Sequence, residues 1–128
     1  MPELPDLSVY IEHLVRRVVG STLNAVRLES PFLLRSVTPT VDELVGRTVV
    51  GLDRLAKQID FDLEDEMFMV IHLMISGRLQ WRELGKAVPK KVGLAAFDFD
   101  TGTLIFTEVS KKKRASLRFV SSRETLGG

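Results

Sequence analysis

Lys57-Gln58-Ile59-Asp60-Phe61-Asp62-Leu63 is the stretch whose reading decides the fold. Ile59, Phe61 and Leu63 alternate strictly with Gln58, Asp60 and Asp62. Successive side chains on a strand point to opposite faces, so the apolar groups share one face and the polar groups the other. The stretch is therefore a strand with one face buried. Glu64-Asp65-Glu66 is a short polar link, and Met67 to Leu73 is a second apolar run. Together they predict a hairpin over residues 57–73.

The same two-residue period recurs on either side. It predicts strands over 22–29, 47–54, 78–82, 92–99, 103–108 and 114–120. Asp100-Thr101-Gly102 is a turn between Phe97/Phe99 and Leu104/Phe106, which makes a second hairpin. Residues 5–19 depart from this period. Leu7, Tyr10, Ile11, Leu14, Val15 and Val18 fall three and four apart and form one helical stripe. Pro5 suits the first helical turn, Asp6 suits its positive end, and Gly20 ends the helix. Thr40 and Glu43 have the spacing of a capping box for a short second helix, which Gly46 terminates. Many short strands and no strand–helix–strand rhythm predict a mainly β fold with flanking helices. The expected architecture is an antiparallel β-sandwich of about eight strands, with an N-terminal amphipathic helix and one short second helix.

A chain of 128 residues makes one domain with a real hydrophobic core. Residues 1–120 are read as that domain, and the polar stretch 121–128 as the start of a linker. The absence of cysteine excludes a disulfide framework and a cysteine zinc site within the chain. His13 and His72 are too few and too far apart for a metal site, so none is expected. No apolar run reaches the ~18 residues of a membrane span, and no signal-peptide pattern opens the chain. A cytoplasmic, nucleoid-associated monomer with no membrane partner is expected. The net charge of +1 announces no partner, but its distribution is uneven. Lys86, Lys90 and Lys91 cluster, as do Lys111-Lys112-Lys113-Arg114, while acids gather in Asp60, Asp62, Glu64, Asp65 and Glu66. Any one such run is most often a solvated surface. Taken together, Lys57, Lys90, Lys91 and Lys111–Arg114 form a candidate groove for a phosphate backbone.

The chemistry starts at Met1-Pro2-Glu3-Leu4-Pro5-Asp6. Once Met1 is removed, Pro2 presents a secondary amine, which can form a charged iminium on an electrophilic carbon. An α-amine titrates at roughly 7.7–8.0 against about 10.4 for lysine, so it is closer to a free nucleophile at neutral pH. The following helix N-terminus disfavours the protonated amine further. Glu3 beside it is a candidate acid or base. The ordinary explanation is that proline is common at the second position and glutamate is common near a helix start. Lys57 has two readings as well, either a solvated residue guarding a strand edge or a phosphate contact that lowers the pKa of the Pro2 amine. Met74 and Ile75 stand at the Ser76-Gly77 turn signal, where loops are normally polar. They belong either to the core or to a wedge for a base stack. His72 is either a satisfied, partly buried histidine or a phosphate donor.

Met1-Pro2-Glu3-Leu4-Pro5, Arg54-Leu55-Ala56-Lys57 and His72-Leu73-Met74-Ile75-Ser76-Gly77-Arg78-Leu79, in that order, resemble the formamidopyrimidine-DNA glycosylase and endonuclease VIII family. The resemblance runs over nearly all of the chain and corresponds to the family's N-terminal domain, a β-sandwich with flanking helices. It implies a base-excision repair DNA glycosylase/AP lyase that removes damaged, oxidised bases from double-stranded DNA. By that resemblance Pro2 attacks C1′ of a flipped-out nucleotide to form a Schiff base, and β,δ-elimination follows. Glu3 is the acid/base, and Lys57 and His72 hold phosphates. Ile75, with Met74 beside it, stands where the family fills the gap left by the base. Lys90, Lys91, Lys111, Lys112, Lys113 and Arg114 are the expected remaining DNA contacts.

The sequence departs from the family at several positions. Asp6 and Ser8 replace glutamates, and Ile75 replaces a methionine. The family's Pro-Arg-Arg-Phe loop is absent, and Glu108 to Arg114 stands in its place. The family's second domain, a helix-two-turn-helix with a zinc or zincless finger, has no counterpart in these residues. No cofactor is therefore expected within this chain, and weak or no glycosylase activity is expected of the 128 residues alone. The alternative is a non-catalytic DNA-damage binding module on the same scaffold. A β-sandwich protein-interaction domain is a third reading, but it leaves the three spaced motifs unexplained.

Overall fold

An alternating strand is stable only where its apolar face meets another apolar face. The computed structural model describes residues 12–30, 33–36, 39–55, 58–74, 77–109 and 115–121. The strands are β1 (Leu23–Leu28), β2 (Val49–Leu55), β3 (Gln58–Leu63), β4 (Met67–His72), β5 (Gly77–Arg82), β6 (Gly93–Phe99), β7 (Thr103–Glu108) and β8 (Ser116–Ser121). Each lies within two residues of its expected bounds. They form two antiparallel four-stranded sheets, ordered β1-β6-β7-β5 and β2-β3-β4-β8. The expected β-sandwich is present.

The inward faces make the core. Ile59, Phe61, Leu63, Met69, Ile71, Leu117 and Phe119 come from the second sheet, and Leu23, Phe97, Phe99, Leu104 and Phe106 from the first. Phe61 stacks on Phe99 across the layer with ring centroids 6.5 Å apart, and Phe99 stacks on Trp81 at 6.1 Å. Such pairs add roughly 0.5–1.5 kcal/mol to the burial of their area. The sheets are tied where β1 and β2 begin. There the Gly20 N–H donates to Val49 O at 2.8 Å, and the Leu23 N–H to Arg47 O at 2.9 Å. Residues 33–36 run along the free edge of β8, bridging Leu34 to Leu117, and the Ser36 hydroxyl accepts the Phe119 N–H at 2.9 Å.

Helix α1 is described over residues 12–18. It buries Leu14 and Val18, and Gly20 ends it at a φ of 90°. The earlier turns expected from residue 5 lie outside the described residues. Helix α2 (Val41–Leu44) has the expected capping box: the Thr40 N–H donates to Glu43 Oε2 at 2.8 Å, and Gly46 follows at a φ of 95°. No helix among the described residues is long and apolar enough to cross a membrane.

The β3–β4 hairpin has an unbroken register from Leu63 opposite Met67 to Gln58 opposite His72. Its link is tight, with Asp65 and Glu66 both left-handed at φ 63° and 61°. Hydrogen bonds from the β2 side hold it. The Arg47 guanidinium donates to the Asp65 carboxylate, and the Thr48 N–H to Glu64 Oε1 at 2.9 Å.

Candidate functional site

The strand directions bring the described candidate residues to one end of the sandwich. β4 ends at His72 and β5 begins at Gly77, with the Gly77 N–H closing the turn on Leu73 O at 2.8 Å. β7 ends at Glu108, whose N–H donates to Val92 O at 2.8 Å, one residue before β6 begins. β8 begins opposite His72 at Ser116, and Leu55 pairs with Gln58 where β2 gives way to β3.

His72 is half-buried on the outward face of β4. Its Nε2 meets Gln58 Oε1, and the Gln58 amide nitrogen donates to Asp60 Oδ1 at 2.9 Å. That second bond orients the amide, so the imidazole donates from Nε2. Nδ1 has no hydrogen-bond partner among the described residues. Met74 has a φ of 56° and is 39 % exposed, whereas Leu73 beside it is buried. Of the two readings for this turn, Met74 follows the exposed one. Gly77 is required here, because a Cβ would stand 2.3 Å from Leu73 O. Lys90 and Lys91 are exposed on the turn that the Gly93 N–H closes on Pro89 O at 2.9 Å.

Eight of the twelve expected site residues lie outside the described residues: Pro2, Glu3, Lys57, Ile75, Lys111, Lys112, Lys113 and Arg114. The segments 56–57, 75–76 and 110–114 join strand ends that the structure places at this same end. Sequence reasoning missed two features. Gln58 and Asp60 hold His72, and the signal for them was the hairpin itself: a register with Leu63 opposite Met67 sets Gln58 opposite His72. Glu108 is 1 % exposed, and its Oε1 accepts the Ala115 N–H at 3.2 Å. It ties the end of β7 to the residue before β8, and a lone glutamate at a strand end gives no signal of that.

Charge is divided along the sandwich. The Glu64–Glu66 link lies at the opposite end of β3 and β4 from His72. Asp60 stands directly across from Asp53. The Asp62 carboxyl is raised from its ordinary 3.8 by partial burial first, then by Asp53 and Asp60. The Glu64–Glu66 acids thus stand at one end of the sandwich and the exposed Lys90 and Lys91 at the other. Among the described residues no three His, Cys, Asp or Glu side chains converge as metal ligands.

The profile of the formamidopyrimidine-DNA glycosylase N-terminal domain matches residues 1–125. Among curated relatives, the formamidopyrimidine-DNA glycosylase of Mycobacterium leprae is 35 % identical over 115 residues, covering 84 % of this chain and 39 % of its own length. That of Enterococcus faecalis is 32 % identical over 122 residues, covering 91 % and 42 %. The chain thus spans about two-fifths of the length of these relatives. A mutant Lactococcus lactis FPG solved with DNA containing Fapy-dG superposes with a TM-score of 0.80 at 25 % identity, covering 98 % of this chain and 46 % of its own.

Proposed function

Because the chain belongs to the formamidopyrimidine-DNA glycosylase N-terminal domain family, we propose that it is the catalytic domain of a base-excision repair DNA glycosylase/AP lyase acting on damaged double-stranded DNA. The observation that carries this reading is the family match over residues 1–125, which takes in all three spaced motifs.

In the proposed reaction the Pro2 nitrogen bonds to C1′ and the N-glycosidic bond breaks. The base leaves with the bonding electron pair and gains a proton. Glu3 protonates the sugar ring oxygen, which opens the ring, and the amine loses its proton to give the iminium. The iminium acidifies the C2′ hydrogen, so its removal expels the 3′ phosphate, and a second elimination expels the 5′ phosphate. Lys57 contacts a phosphate, and its charge favours the neutral Pro2 amine. His72 supports a phosphate contact: with Nε2 engaged by Gln58, Nδ1 donates when the imidazole is protonated. Met74, exposed at its turn, packs against the bases flanking the gap. Lys90 and Lys91 supply salt-dependent backbone attraction. In this reading Ser121 still belongs to β8, and the residues after it lead to a helical domain that completes the DNA cleft and carries any zinc.

Borohydride trapping tests this reading. Protein with Met1 removed, mixed with abasic-site DNA and borohydride, yields a covalent adduct, and Pro2→Gly abolishes it. Salt-sensitive DNA binding with no adduct from the unaltered chain would instead establish a non-catalytic damage-binding module.

A further inference from the structure

A hollow lies away from the His72 end. Its volume is 410 Å³, and it opens between α1 and the edge strand β5. The part of β5 that lines it starts at Leu79 and ends at Arg82. Gly77 at the His72 end is then roughly 17 Å from Arg82 along an extended strand. Arg82 pairs with Thr103 beside the Asp100–Gly102 turn, and the Thr101 hydroxyl donates to Arg17 O at 3.3 Å.

The lining has an apolar part and a cationic part. Leu14 and Leu79 are 1 % and 7 % exposed and form the floor. Trp81 is half-buried, backed by Phe99 on one side. Gly102 packs on the Trp81 ring edge so closely that a Cβ there would come within 2.4 Å of it. The indole is therefore held in place rather than loosely exposed. Arg17 comes from the helix and Arg82 from the strand, and His13 lies one helical turn before Arg17. Among the described residues no carboxylate lines the hollow, and none of these three side chains has an ion-pair partner. Two permanently charged guanidiniums from different elements thus converge on one hollow, with no counter-ion among the described residues. Guanidinium forks match phosphate oxygens, and an indole matches the flat face of a base. The volume lies within the range of about 300–1,000 Å³ usual for small-molecule sites.

We propose that this hollow is a nucleotide-binding site, with the phosphate between Arg17 and Arg82 and the base against Trp81 and Leu79. Gln80 and His13 offer hydrogen bonds to the base edge or the sugar. A free mononucleotide and an unpaired nucleotide of a DNA strand share this chemistry. The proposal does not rest on the glycosylase reading.

Trp81 is the only tryptophan of the chain, so intrinsic fluorescence excited at the indole edge reports on this hollow alone. Titration with dTMP quenches it along a saturating curve, whereas thymidine and inorganic phosphate each bind much more weakly. Arg17→Ala and Arg82→Ala each weaken dTMP at least about tenfold, the loss of a charge-assisted hydrogen bond. Both residues are exposed, so the variants keep the fold, and an unchanged unfolding midpoint verifies this. A thymidine tetranucleotide that binds more tightly than dTMP assigns the site to a DNA strand, and equal affinity assigns it to a free nucleotide. Quenching that rises linearly without saturation, that is equal for thymidine and dTMP, or that survives both arginine substitutions would overturn the proposal.

Discussion

Two aspartates show how position decides the sign of a charge's effect. Asp100 accepts the Thr22 N–H and the Asn24 amide, each at 3.0 Å, and its own N–H donates to the Ser21 hydroxyl at 3.0 Å. The Thr22 N–H first, then the Asn24 amide, hold its carboxyl below its ordinary 3.8. A depressed carboxyl stabilises the fold above its unfolded-state value, and that contribution is lost as pH falls through the folded-state value. Asp62 is the reverse case. Its carboxyl is raised by burial and by Asp53 and Asp60, so the ionised form weighs against folding, and wild-type stability falls as pH rises from 3.8 through the raised value. Asp100→Asn therefore lowers the thermal midpoint at pH 7, and the deficit closes as pH drops below 3.8. Asp62→Asn stabilises the fold at pH 7 by less than about 1 kcal/mol, because solvent screens a group that is only partly buried, and the gain vanishes below 3.8. Denaturation curves of both variants from pH 3 to 7 check the opposite slopes.

At the scale of an element, the turn from β4 to β5 depends on a missing side chain. A Cβ on Gly77 would stand 2.3 Å from Leu73 O and 2.9 Å from Leu73 Cα, both backbone atoms with no rotamer to yield. Gly77→Ala thus costs about 1–3 kcal/mol. It also shifts the turn that carries Met74; under the proposed DNA contact there, DNA affinity falls more than a stability loss alone would produce, measured at a temperature where the variant is fully folded. The β3–β4 link stores strain of another kind. Glu66 sits at a φ of 61° with no glycine to relieve it. Glu66→Gly relieves about 1 kcal/mol of left-handed strain and raises the unfolding midpoint in denaturant. A lowered midpoint would show that the glutamate side chain contributes more than its backbone strain removes.

Over the whole molecule, the two sheets hold each other through a small number of large side chains. Phe61 is fully buried and meets Phe99 from the opposite sheet, which in turn backs Trp81. Phe61→Ala removes that tie and costs about 3–5 kcal/mol. It also loosens Phe99 behind the indole, so Trp81 emission shifts red before global unfolding begins. The sequence alone determined the eight strands, the capping box of α2 and both hairpins, because each depends on residues only a few positions apart. Even the pairing of Gln58 with His72 was implicit in the length of the 64–66 link. The Pro2-Glu3 opening and the His72–Leu79 run were legible as motifs, since a motif is chemistry written along the chain. Tertiary structure decided the rest. Nothing local states that β1 pairs with β6 or β5 with β7, because those pairings set the burial of two whole faces against long loop closures. Only that packing gathers His72, Met74, Lys90 and Lys91 at one end and carries the Glu64–Glu66 acids to the other. It also places Arg17 and Arg82, far apart in the chain, on a single hollow. Period and turn chemistry act over a few residues, whereas a site is made where distant strand ends meet.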